Sequence, residues 1–350
     1  MANITINGAN YNDVPRLDVP SQSGDVSSFY EVSGTLSVTE NGLFDVKDKE
    51  KVDVNVAGSA GGLSLDDFIS GNYFDGKNIT FRGTGIDREY ALACTNINSF
   101  TAPQCRYLAN YAFYKSSLTS FTAPEVFNIG ENVFELCANL SNVDLPKCEK
   151  LGMSSFTQSG IVRADFPEVT TLNDYAFYSC NSLISANFPK VTSIPSSCFN
   201  TCENLETINI PLCYFIGDNA LAYIYKLKEV SFPVCNVGVS AFYNDYGLEK
   251  VDFNPTTTYD YMPIGYSAFN NCSKLKILAL RSENVWSLSD SSCFQGTLIE
   301  SGTGFIYVPK SQIEQYKTAT NWTVYADQFR ALEDYTVDGS ITGELDLTKI

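Results

Sequence analysis

Between residues 97 and 248 apolar and polar positions recur together every 21 or 22 residues. Leading aliphatics fall at Ile97, Leu118, Leu140, Ile161, Leu183, Leu205, Leu227 and Leu248. Prolines keep the same beat at Pro103, Pro124, Pro146, Pro167, Pro189, Pro211 and Pro233. An aromatic follows each proline by ten residues at Phe113, Phe134, Phe156, Phe177 and Phe199; Leu221 holds that place next, and Phe242 arrives one residue early. The run from Leu183 to Asn204, LISANFPKVTSIPSSCFNTCEN, opens on alternation of period two and then meets a proline. That is a short half-buried strand ended by a residue that cannot donate to a ladder. Each unit therefore predicts one strand and a turning return path. A lone unit cannot bury its apolar face, so neighbours must stack. Copies spaced at about 4.8 Å give a parallel ladder over a continuous core.

The ends depart from the repeat. Residues 76–96 read as a degenerate first coil, with Ile79, Phe81 and Leu92 in register but Arg82 where proline belongs. The unit from Leu248 is lengthened by NPTTTYDYMP, so Leu275 comes 27 residues later. Beyond Leu298 the pattern dissolves, and Ser311 is placed to N-cap a helix carrying Ile313, Tyr316 and Lys317. Residues 1–56 read as a small all-β anchoring or oligomerisation module, with a hairpin turning at Asn41-Gly42 and strict alternation from Val52 to Val56. The predicted organisation is this module, a Gly-rich linker and N-terminal cap over 57–75, repeats over 76–297, and a C-terminal cap and tail over 298–350.

Composition narrows the chemistry. The chain has 350 residues, 44% of them apolar, and a formal net charge of −17. Phosphate backbones and anionic membrane surfaces would repel it, which counts against nucleic acid as a partner. Histidine is absent, removing the usual general base, the Ser-His and Cys-His pairs and imidazole metal sites. Eleven cysteines, an odd number without any CxxC, do not make a complete disulfide framework. No run of 18 apolar residues predicts a membrane insertion. MANITINGANYNDVPRLDVP lacks the charged and apolar regions of a secretory signal, so release by lysis or a non-classical route is expected.

The repeats resemble the BspA-like family of bacterial leucine-rich repeats, whose units run L-x-x-I-x-I-P-x-x-V-x-x-I-x-x-x-A-F-x-x-C-x-x-L. The likeness covers residues 76–330, including the ending VPKSQIEQYKTATNW. It implies a right-handed leucine-rich-repeat solenoid, with a parallel β-sheet on one face and short helical or 3-10 turns on the other, that binds host or neighbouring-cell ligands without catalysis. The stretch SGTLSVTENGLFDVKDKEKVDVNV is similar to a module of phage and prophage tail-associated proteins of Gram-positive bacteria. It implies docking on a virion or other assembly through the N-terminal module, while the repeats meet a cell-surface glycan or protein. A bacterial surface or secreted adhesin is the alternative, and a carboxylate-only glycosidase a weaker third. Neither cofactor nor metal is expected; a homo-oligomer is compatible with the pattern.

Candidate binding residues lie on the strands and in the inserted loop. The fifth unit position reads Thr101, Thr122, Asp144, Asp165, Asn187, Asn209, Ser231 and Asp252; the third runs from Ser99 through Arg163 to Lys250. Thr122, Asp144, Arg163, Asp165, Asn187 and Asn209 could hydrogen-bond a sugar or peptide, or simply bond one another across strands. Asp144 beside Asp165 would make a cation clamp only with further oxygen ligands. Tyrosines gather at Tyr223, Tyr225, Tyr243, Tyr246, Tyr259, Tyr261 and Tyr266, and could pack coils together or meet a partner. Tyr259 and Tyr261 stand out because an insertion adds nothing to the repeat. Recurring cysteine columns read as buried, reduced thiols.

Overall fold

A computed structural model describes residues 78–350 apart from 82–84, 87–88, 234–235 and 256–261, with backbone alone at 79–80, and for 2–56 the backbone of the strands alone. The Asn41-Gly42 turn, Arg82, the linker, Tyr259 and Tyr261 therefore lie outside the described residues. The chain divides into two compact units, Met1–Val162 and Arg163–Ile350.

In the first unit the leading strands form one sheet in the order Asn142–Asp144, Ser120–Thr122, Ser99–Thr101, Asn78–Phe81, Lys51–Val56, Ser27–Val32, Leu17–Pro20. Pairing is parallel as far as Lys51–Val56 and antiparallel beyond. Lys51–Val56 thus pairs directly with the degenerate first coil, Val52 opposite Ile79. Leu36–Val38 and Phe44–Val46 pair antiparallel in a second sheet. The return paths add Tyr107–Leu108, Asn128–Ile129 and Lys150–Leu151 as a third, parallel ladder.

The second unit repeats this plan. Its front strands are Arg163–Asp165, Ser185–Asn187 and Thr207–Asn209 in one sheet, and Glu229–Phe232, Lys250–Phe253, Ile277–Leu280, Phe305–Val308 and Phe329–Ala331 in another. Behind them runs one unbroken parallel ladder from Ser193–Ile194 to Ser287–Leu288.

Each coil is held by the residue types that recur. Column aromatics stack ring on ring, Phe113 on Phe134 at 5.5 Å, Phe134 on Phe156 at 5.2 Å, and Phe242 on Phe269 at 5.1 Å. Two residues before and two after the aromatic, the backbone turns left-handed, as at Tyr111 and Lys115 with φ of 59° and 57°. L-residues adopt this at a cost. What offsets it is a set of axial hydrogen bonds: N–H groups of Tyr111, Phe113 and Lys115 all donate to the next coil, at 2.8, 3.0 and 2.9 Å. Cysteines of the next coil give carbonyls of the turns a second donor. Cys137 donates to Phe113 O at 3.0 Å, Cys202 to Phe177 O at 3.1 Å and Cys272 to Phe242 O at 2.9 Å. Burial pushes the Cys137 thiol up to about 11 and the Cys148 thiol up to about 12. They are protonated hydrogen-bond donors rather than nucleophiles.

The C-terminal segment closes the last coil. Trp322 and Tyr325 pack on Phe294, and Trp322 Nε1 donates to Trp286 O while Asn321 Nδ2 donates to Leu288 O, both at 2.7 Å. The expected helix forms at Ile313–Thr318, but Ser311 does not cap it. Ser311 sits inside the preceding 3-10 turn, Lys310–Gln312, and its hydroxyl donates to Glu283 instead. The tail also covers the front sheet, where the outward row turns apolar at Ile277, Ala279 and Tyr307 and packs with Leu332 and Leu345. Asp252, expected to face solvent, is consequently buried. It pairs with Arg281 through two hydrogen bonds of 2.6 and 2.9 Å, and Arg281 also donates to the carbonyls of Ile341 and Gly343.

Candidate functional site

Much of the bonding capacity of the front rows is spent internally. Asn209 Nδ2 donates to Asn187 Oδ1 and Asn187 Nδ2 to Asp165 Oδ1, each at 2.7 Å, forming an amide ladder along the second unit. Asp144 and Thr122 share adjoining strands in the first unit, half-buried at Thr122 and exposed at Asp144. Asp144 and Asp165 belong to different units, and among the described residues no three Cys, Asp or Glu side chains gather to hold a metal ion. Arg163 is exposed, and its side chain makes no hydrogen bond or ion pair among the described residues.

A more distinctive surface lies further along the second unit. Thr207–Asn209 and Glu229–Phe232 begin consecutive coils, yet no backbone hydrogen bond joins them. In the preceding pair of coils, Glu206 N–H reaches Ile184 O at 2.9 Å and Phe188 N–H reaches Asn209 O at 2.9 Å. The counterparts, Lys228 N–H to Glu206 O and Ile210 N–H to Ser231 O, are missing. The same two coils stay bonded elsewhere. Gly238 N–H donates to Ile216 O at 2.7 Å in the back ladder, and Leu221 N–H donates to Ala241 O at 2.8 Å in the turns. Only the front has opened.

A groove of about 820 Å³ occupies the opening. Its walls are the two strands, and its mouth carries Tyr225, Lys226, Lys228, Gly247, Lys250 and Lys274. Four lysines stand against two glutamates, Glu206 and Glu229, in a chain of net charge −17. Lys250 lies 3.5 Å from Glu229, whereas Lys226, Lys228 and Lys274 have no ion pair among the described residues. Register places Lys226, Gly247 and Lys274 at matching positions of three successive coils. A Cβ on Gly247 would sit 2.2 Å from Tyr225 O, so the coils approach closely there and the floor between the two lysines stays bare.

Tyr225 is oriented by Tyr246, whose ring stacks on it at 5.5 Å with 23° between planes. Both rings are exposed, at 38% and 45%. Burial and then the nearby Glu203 raise the Tyr225 phenol above its ordinary value, so it remains a neutral donor. Beneath Tyr246, Asp245 holds the place that Cys137, Cys180, Cys202 and Cys272 take in other coils. Its Oδ1 accepts from Ile224 N–H at 2.6 Å while Oδ2 is buried without a partner. Burial drives its carboxyl well above the usual range.

Comparison with known sequences settles the architecture's ancestry. The BspA type leucine rich repeat region matches residues 77–128, 106–228 and 192–316, in six copies. The chain belongs to the BspA-type leucine-rich repeat family. Among curated proteins no relative is found. Similar solved structures include a leucine-rich cell surface protein from Faecalibacterium prausnitzii, 17% identical over 92% of this chain and 95% of that one, with a TM-score of 0.44. A leucine-rich repeat protein from Bacteroides ovatus is 18% identical over 88% and 98%, at 0.36. The pneumococcal vaccine antigen PcpA is 13% identical over 90% and 99%, also at 0.36.

Within this BspA-type chain Lys250 stands in the third-position row, whereas Lys226, Lys228 and Lys274 fall between the rows that the repeat aligns. A local signal does exist: YKLKEV, LEKV and SKLKIL place five lysines between 226 and 276. The missing ladder bonds have no such signature, since Thr207–Asn209 and Glu229–Phe232 alternate like every other strand.

Proposed function

We propose that this BspA-type protein is a non-enzymatic binding protein that acts at a cell surface and attaches to a surface protein or glycan through the groove of its second unit. The observation that carries this reading is the open groove itself, with its ordered tyrosine pair and three unpaired lysines. Aromatic rings fixed by packing give contact area at little entropic cost, and a cleft lined by one sign of charge concentrates ligands of the other. Arg163 is an auxiliary contact, exposed and unpaired; Tyr259 and Tyr261 keep that role on sequence grounds. The test is attachment of labelled full-length protein to intact bacterial and epithelial cells. A Tyr225→Ala, Lys226→Gln, Lys228→Gln variant with an unchanged melting temperature attaches at least about tenfold more weakly. Equal attachment would remove the groove from the account.

The placement on a phage or prophage particle, with residues 1–56 as its anchor, is the second reading and rests on the resemblance of SGTLSVTENGLFDVKDKEKVDVNV to tail-associated modules. It predicts that the full chain co-sediments with virions from a lysate. Recovery on cell walls with none on particles favours the adhesin without a virion.

A further inference from the structure

We infer that the groove takes an acidic, extended peptide segment of a partner protein, which adds a strand between Thr207–Asn209 and Glu229–Phe232. This rests on the reading of the groove as the binding site and names the occupant. The unspent hydrogen-bonding capacity there is main-chain, on two parallel edges that face each other across one opening. Ile210 N–H and Lys228 N–H lack backbone partners, while the same coils remain bonded behind and at the turns. An exposed strand edge is a template for another strand, and here two edges flank a single slot. An extended peptide repeats its donors and acceptors about every 3.3 Å and so matches both walls at once. A saccharide carries hydroxyls without that repeat and would leave the wall amides unmatched.

The charge at the mouth selects the sequence. Lys226, Lys228 and Lys274 project there unpaired, so a strand with carboxylates at alternate positions places them against ammonium groups on one face. Tyr225, steadied by Tyr246, supplies the apolar contact beside them. Glu206 and Glu229 on the walls repel a chain of uniform negative charge and favour alternation with neutral residues.

The experiment screens full-length protein against a hexapeptide library with Glu fixed at alternate positions, a matched library with Lys fixed, and oligogalacturonate as the acidic saccharide. Glu-fixed peptides are enriched, and N-methylation of alternate amides in the tightest one weakens binding by about tenfold or more, because it removes ladder donors. Lys226→Gln and Lys228→Gln each weaken it by about tenfold, whereas Lys317→Gln, on the cap, changes nothing. Bound peptide slows amide exchange at Ile210 and Lys228. No enrichment of Glu-fixed over Lys-fixed peptides, equal binding of the N-methylated peptide, or tighter binding of oligogalacturonate overturns the inference. If the groove variant loses cell attachment while no acidic peptide binds, the groove reading stands and only its occupant is wrong.

Discussion

Asp245 shows what one residue costs a coil. Where four other coils carry a cysteine whose small thiol is content in an apolar site, this one buries a carboxyl with a partnerless oxygen. Its native pKa lies well above that of the unfolded chain, so its proton stabilises the fold at pH below about 4, and that contribution is lost as pH rises toward the native value. Asp245→Asn, which cannot ionise, is therefore expected to melt higher than wild type at pH 7, by about 1–3 kcal/mol of stability, with the gap narrowing toward pH 4 in a pH series of thermal melts. A gap independent of pH would show that the carboxyl is not protonated in the fold. Cysteines behave oppositely: of the ten described, Cys94 alone is exposed. Among these ten, native thiol labelling should modify Cys94 first, and Cys94→Ser should remove its fast labelling; rapid labelling at Cys137 or Cys148 would contradict their burial.

At the level of elements, coil stacking rests on the aromatic column and on the tail. Phe134 contacts Phe113, Phe121 and Phe156 and is fully buried, so Phe134→Ala should cost about 3–5 kcal/mol in denaturant unfolding. Arg281→Ala should cost a similar amount, about 3–5 kcal/mol, because it leaves Asp252 buried and unpaired. It should also raise hydrogen exchange over residues 336–346, which Arg281 holds by two carbonyls; unchanged exchange there would mean the tail docks by apolar contact alone. These elements also mark how far the sequence could be read. Period, strands, aromatic column and thiol columns were legible because each recurs in most coils. Asp252 was not, since its burial depends on a tail more than eighty residues later that the repeat does not encode. Ser311 misled because an N-cap pattern resembles a serine already inside a 3-10 turn.

For the molecule as a whole, a repeat makes most of its surface alike, and recognition then depends on where the pattern breaks. The rows Asp165, Asn187 and Asn209 are polar and exposed to varying degrees, yet they bond one another. The front ladder opened between Thr207–Asn209 and Glu229–Phe232 is one such break, and there the charge of an acidic chain reverses sign. Residue rows alone revealed the tyrosines near it but not the opening, which is a relation between two strands. Hydrogen–deuterium exchange of the unliganded full chain examines that relation directly. Amides at Ile210 and Lys228 should exchange at least about 100-fold faster than Phe188 and Gly238, which are bonded to neighbouring coils. Equal protection at all four would mean the front ladder is closed in solution and the groove, with everything assigned to it, does not exist.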